Sequence, residues 1–481
     1  MTATDTTPTA PRPPATAWPL ENALISAALA AQRISWIDAP ARALGLKPFT
    51  RQQLTRQALA ALRRTKSGRP TRLRTAFGTF LMPLTADDAT SLVRRADEAG
   101  ARSTVTALTA EGRRLRLTPH TTLPVTPDAL HAQVRTAAQE TAAALVAARR
   151  ADGGLDRADW RDRTARLARQ LVLGAEGAED ALVSGILEAV TRAEDSTEYA
   201  DRVAALRRRL DPYVHGEHPG PLTAGLAEDA RDAVVEHALE VCTRALADTA
   251  AQALALLTVE PGPATDDRAE RAVGEALRRY PPLAATVHTV TAPFTWHGVA
   301  VEAGTDLLCA TAWLRDLDEA RGHGDGGPSA SLCAAPAPCA AAELGAFAAA
   351  ELVRALTLHA TAVVLAPRLD GAALPADLPA ASLRLALTDA EHTPGAAGAR
   401  PVSDGYAPPE AGQSPARYAT LVAAGARGLE QHARKLAECA RLDGWNHDAF
   451  GEHCRMTLLA HAERCARAAA DARRAADWLA G

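Results

Sequence analysis

Glu275 and Arg278 stand three residues apart in a stretch that reads as helix, so they share a face and can pair. Pro281-Pro282 ends that helix, because the residue before a proline is pushed out of the α region. Residues 294–308 then place Gly298 and Gly304 among β-prone residues, a strand-turn-strand signal. Further on, Gly326-Gly327-Pro328 supplies a sharp backbone turn ahead of Cys333, and Cys339 stands just before a helical stretch over 340–355. Either thiol can be ordinary core filler, since Cys is among the most buried residue types. His461 and Cys465 are four apart and could share a metal, but no tight zinc spacing surrounds them. Packing of an Ala-rich seam is the simpler reading of that pair.

The elements that must hold these residues are mainly helical, with small β-sheets. Phe77–Leu81 reads as a strand leading into a helix over Asp87–Ala99. Helical periodicity marks Asp156–Leu173 and Ala230–Val259, and the second is apolar enough to be a central buried helix. Leu383–Leu387 reads as a late strand. Residues 1–20 are expected to be a disordered Thr/Pro-rich tail, 21–391 the main domain and 392–415 a Pro/Gly/Ala linker. Over 416–481, two apolar seams (Tyr418 to Cys439 and Phe450 to Ala472) flank Gly444 and Asn446, which predicts a helical hairpin.

Composition narrows the function classes. The chain has 481 residues, 47% of them hydrophobic, which permits a sizeable core. A net charge of −4 argues against a general nucleic-acid binder. Seven cysteines without framework spacing argue against a disulfide scaffold. The first twenty residues lack the apolar run of a secretory signal, and no stretch approaches the roughly 18 apolar residues of a membrane span. The expectation is a reduced, cytoplasmic protein that neither spans a membrane nor binds nucleic acid.

The order Glu275-x-x-Arg278, Pro281-Pro282, a strand hairpin closing on Ala303-Gly304-Thr305, then a Cys loop before a long helix resembles the cytochrome P450 (haem-thiolate monooxygenase) superfamily. The resemblance covers roughly residues 70–390, and its specific part lies within 245–390. It implies a P450-like fold that binds haem b, with the helical hairpin appended. Cys333 would be the axial iron ligand, and Cys339 is its rival. A helix N-terminus favours the thiolate, whose electron density promotes O–O cleavage. Glu275 and Arg278 would brace the Cys loop, joined by Arg315 or Arg321. The long helix would cross the opposite face of the porphyrin and present Asp248 and Thr249 for proton delivery. His288 and Arg113, with Arg114 and Arg116 beside it, would face the haem carboxylates.

Several positions depart from the family pattern. Leu246 stands where Gly is usual, Ser329 and Ala335 break the Cys loop, and the stretch from Arg315 to Cys333 is short. Two functions follow. One is a haem-dependent monooxygenase acting on a small organic molecule, in secondary metabolism, with electrons from a ferredoxin-type partner. The alternative is a haem-free, P450-like auxiliary protein that stabilises or activates a partner enzyme such as a glycosyltransferase. In either case the C-terminal hairpin is expected to be able to dock a protein partner.

Overall fold

The computed structural model describes residues 14–389 except 33–49, 110–113, 122, 124–127, 151–152, 217–219, 224–225, 260–265, 320–328, 334–338, 368, 372–373 and 376, and scattered positions between 423 and 477. The chain divides into two compact units, Met1–Thr393 and Pro394–Gly481.

The first unit is built around one long helix that is buried along most of its length. Helix α8 (Glu228–Arg244) runs into a π turn (Ala245–Thr249) and on into α9 (Ala250–Leu257). Val234, Leu239, Val241, Ala245, Leu246, Ala253 and Leu254 are all buried, and so are the polar Glu236, His237, Glu240 and Arg244 among them. Helices α4 (Asp128–Ala148), α5 (Arg157–Ala178), α6 (Ala181–Thr191), α7 (Ser196–Val214), α10 (Asp266–Arg279) and α13 (Ala340–His359) complete that layer. The Ala-rich face of α13, with Ala341, Ala342, Ala348 and Ala349 buried, lets it approach the central helix closely. The continuous helix expected over 230–259 is thus present, with its turn of π geometry as the unforeseen detail. Trp160 Nε1 donates to the carbonyl of Ala247 in that turn at 2.9 Å.

The sheet layer lies against α1 (Pro19–Gln32), α2 (Arg51–Thr65), α3 (Ala86–Glu98) and α11 (Thr311–Glu319). Its strands are β1 (Ala15–Thr16), β2 (Thr71–Thr75), β3 (Gly78–Met82), β4 (Arg102–Thr109), β5 (Arg114–Leu117), β6 (Leu283–Val290) and β9 (Asp306–Cys309). The order among the described residues is β1-β2-β3-β9-β6-β4-β5. Strand β6 sits between β4 and β9, antiparallel to both, with His288 opposite Val105 and Leu307. The predicted strand-turn-strand is β7 (Phe294–Trp296) with β8 (Val299–Val301). Positive φ at His297 (47°) and Gly298 (74°) gives the tight turn whose twist matches the strands. Strands β10 (Ala360–Ala366) and β11 (Arg384–Asp389) form a separate antiparallel pair.

In the second unit, Ala426, Ala433 and Ala440 are buried at seven-residue spacing, and so are Ala462 and Ala469. Arg473 pairs with Glu430, which joins the two helical runs. His432, Cys439, Cys454, His461 and Cys465 lie outside the described residues.

Candidate functional site

Cys333 follows the short helix α12 (Ser329–Leu332), and Cys339 is the N-cap of α13. The two sulfurs meet at His237 on the central helix α8. His237 Nε2 is 3.3 Å from Cys339 Sγ and 3.5 Å from Cys333 Sγ. His120, three residues past the end of β5, brings its Nδ1 to 3.6 Å from Cys333 Sγ. The His120 and His237 rings stand nearly perpendicular, at 88° with centroids 5.1 Å apart. One donor atom from each of the four residues lies within 4.8 Å of all the others. His237, Cys333 and Cys339 are buried and His120 is half-buried.

The two thiols are electrostatically unequal. Hydrogen bonds from Cys333, His120 and His237 outweigh burial at Cys339 and hold its thiol far below the usual range. Burial, with Cys339 beside it, pushes the Cys333 thiol up.

A buried carboxylate fixes the loops that carry the quartet. Glu240 lies one turn beyond His237 on α8. Its Oε2 accepts from the Thr118 backbone N–H at 2.7 Å and from Thr118 Oγ1 at 2.6 Å, two residues before His120. Its Oε1 pairs with Arg244, whose Nη1 donates to the carbonyl of Leu332, next to Cys333, at 2.5 Å. A buried ion pair is tolerable when the remaining lone pairs and protons are satisfied, and this one uses them to pin two loops. Ser331 adds a further tie: its Oγ donates to Leu277 O on α10 at 3.1 Å and accepts from Arg315 at 2.9 Å.

The residues expected from the sequence are placed as follows. Glu275 and Arg278 do pair, at 2.6 Å and 2.7 Å, and Arg279 also reaches Glu275. Their side chains remain 25% and 36% exposed, so the clasp is half-solvated rather than buried. The Arg278 hydrogen bond, opposed by burial and helped by Arg279, holds the Glu275 carboxyl down at about 2. Arg315 reaches the Cys-bearing segment through Ser331 and not through Glu275; Arg321 and Arg113 lie outside the described residues. Arg114 is exposed, and Arg116 donates to the carbonyls of Ala193 and Glu194 at 3.1 Å each. His288 is enclosed in the sheet, where Thr286 Oγ1 is 2.9 Å from its Nε2. Burial, with Arg102 nearby, pulls His288 down to about 3, so it is neutral. Asp248 is half-buried and lines a cavity of about 550 Å³ together with Trp160, Thr243, Arg244, Ala251 and Leu385. Thr249 is fully buried, and its Oγ1 has no hydrogen-bond partner among the described residues.

The porphyrin implied by the resemblance has to lie between the Cys sulfur and the central helix. Cys333 Sγ instead touches His237 of that helix at 3.5 Å. Helix α13 closes on the π turn: a Cβ added to Gly345 would stand 3.0 Å from Ala245 Cβ and 3.5 Å from Cys242 Cα. Leu246 is fully buried in the same contact layer. Among the described residues, the cavities lined by Cys333 measure about 30 Å³ and about 10 Å³, whereas ligand pockets run to roughly 300–1,000 Å³. The described residues around Cys333 do not fit a haem.

Sequence reasoning weighed Cys333 against Cys339, and the structure brings both to one point. It missed His120, His237, Glu240 and Arg244. His237, Glu240 and Arg244 recur at spacings of three and four, which puts three polar groups on one stripe of a helix whose second half is mostly apolar. That was a readable signal, because such groups need partners when buried. His120 gave none, since its neighbours in space are more than a hundred residues away in the chain.

Among the described residues no helix is long and apolar enough to cross a membrane. No protein-family model and no curated protein matches the sequence. Among solved structures, the chain is similar to CYP175A1 of Thermus thermophilus at 17% identity, over 70% of this chain and 96% of that one, with a TM-score of 0.46. It is similar to CYP108D1 of Novosphingobium aromaticivorans at 13% identity, over 76% and 100%, with a TM-score of 0.49. A carbohydrate active P450 is similar at 13% identity, over 69% and 98%, with a TM-score of 0.44. The solved structures that this chain resembles are cytochrome P450s.

Proposed function

We propose that this chain is a haem-free, cytochrome P450-like protein that acts by binding, as an auxiliary or scaffold protein for a partner enzyme. The observation that carries this reading is the contact between Cys333 Sγ and His237 Nε2 at 3.5 Å. A sulfur in contact with the central helix has no face left for an iron porphyrin. The cavity of about 550 Å³ beside Asp248 is of a size to take a small organic molecule. On this reading it is a binding pocket, and no ferredoxin-type electron donor is required. Asp248 then contributes to its polar lining beside Arg157, Arg161, Glu188 and Arg244, and Thr249 is not part of that lining. The partner enzyme is expected to be of the class that modifies small molecules, such as a glycosyltransferase.

The test is spectroscopic. The full chain is expressed with a haem precursor, purified, reduced with dithionite and exposed to carbon monoxide. The expected result is a colourless protein with no Soret band, before and after incubation with hemin. A thiolate-haem Soret band that disappears in Cys333→Ala would overturn the proposal and restore the monooxygenase reading.

A further inference from the structure

We propose that His120, His237, Cys333 and Cys339 bind one zinc ion in a closed tetrahedral site. Four separate segments supply the ligands: the loop after β5, the middle of α8, the segment after α12 and the N-cap of α13. The donor set is two thiolates and two imidazoles, the set that selects zinc in structural sites.

The distances already approach those of a filled site. Tetrahedral geometry with Zn–S about 2.3 Å and Zn–N about 2.0–2.1 Å requires S···N edges of about 3.6 Å. Three of the four sulfur–nitrogen separations are 3.3, 3.5 and 3.6 Å, and all pairs of donor atoms lie within 4.8 Å. Little movement is needed for the four atoms to face one centre. The perpendicular imidazoles avoid each other while both present a nitrogen to it. His237 would ligate through Nε2 and His120 through Nδ1, the atoms that face the sulfurs.

Charge balance favours the same occupant. Both sulfurs ligate Zn²⁺ as thiolates, and two thiolates cancel the dication. The buried centre is then neutral, which avoids the cost of an isolated charge. Outer contacts fix the segments that carry two of the ligands. Glu240 holds Thr118 beside His120, and Arg244 holds the Leu332 carbonyl beside Cys333. All four positions are taken by protein, so no place is left for water or substrate, and the ion is structural rather than catalytic. It would clip together residues 120 and 333, far apart in the chain.

One link to the preceding proposal remains: a sulfur that ligates zinc cannot also ligate haem iron. A haem-free protein without zinc sinks only the zinc site, whereas haem on Cys333 sinks both. The test uses the full chain purified without chelator from zinc-supplemented cells, with metal measured by plasma mass spectrometry. About one zinc per chain is expected, together with a lower unfolding temperature after chelation. Cys339→Ser and His237→Ala should lose the bound zinc, and Glu240→Gln should bind it about 10–100-fold more weakly. Should these variants fail to fold, cobalt substituted into the unmodified chain gives the readout. Tetrahedral d–d bands with sulfur-to-metal charge transfer are expected. Metal that survives Cys339→Ser but is lost in Cys465→Ser would place the site in the hairpin and overturn the assignment. A chain with no metal, whose Cys333 and Cys339 react as free thiols or are disulfide-linked, would also overturn it.

Discussion

At the scale of single residues, the Glu275–Arg278 pair shows how far spacing can be trusted. The three-residue offset on a helix predicted the contact, and the contact is there. Its setting was not predictable, because solvation depends on what packs above it. The pair is half-exposed, so solvent screening limits its worth to about 1 kcal/mol. Its pH dependence follows from the lowered carboxyl. Glu275 is held at about 2 against an ordinary 4.5, so its contribution is complete above 4.5 and fades as pH falls towards 2. Urea unfolding of Glu275→Gln and the parent chain should therefore differ at pH 7 and converge near pH 2. A loss of several kcal/mol at neutral pH would mean a fully buried clasp and contradict the half-solvated geometry.

At the scale of elements, the central claim is that α13 lies directly on the π turn. The helical reading of 230–259 and 340–355 was legible because long apolar periodicity is a strong signal. The contact between them was not, since periodicity tells which face is buried and not which neighbour buries it. The π turn was also invisible, because one extra residue in a turn leaves composition unchanged. Gly345 tests the contact. An added methyl would meet Ala245 Cβ at 3.0 Å, tighter than ordinary packing. Gly345→Ala should destabilise by about 1–3 kcal/mol through overpacking, despite the better helix propensity of Ala. The double variant Gly345→Ala with Ala245→Gly should recover most of that loss in thermal unfolding. A stabilised single variant would show that α13 and the turn stand apart, with space between them.

At the scale of the whole molecule, the sequence led to a mainly helical architecture with small β-sheets and to the two cysteines. The resemblance assigned one of them to a porphyrin. The packing assigns both to a cluster with His120 and His237, and that cluster was out of reach of sequence reading because its members come from four segments with no local motif. The polar stripe of His237, Glu240 and Arg244 was the one clue on a single element, and a buried helix holding three such groups marks where loops must converge. The most direct measurement is X-ray absorption at the zinc edge of the purified full chain. The account predicts a first shell of two sulfurs at about 2.3 Å and two nitrogens at about 2.0–2.1 Å. An iron-edge spectrum showing one sulfur and four porphyrin nitrogens, with no zinc present, would contradict it.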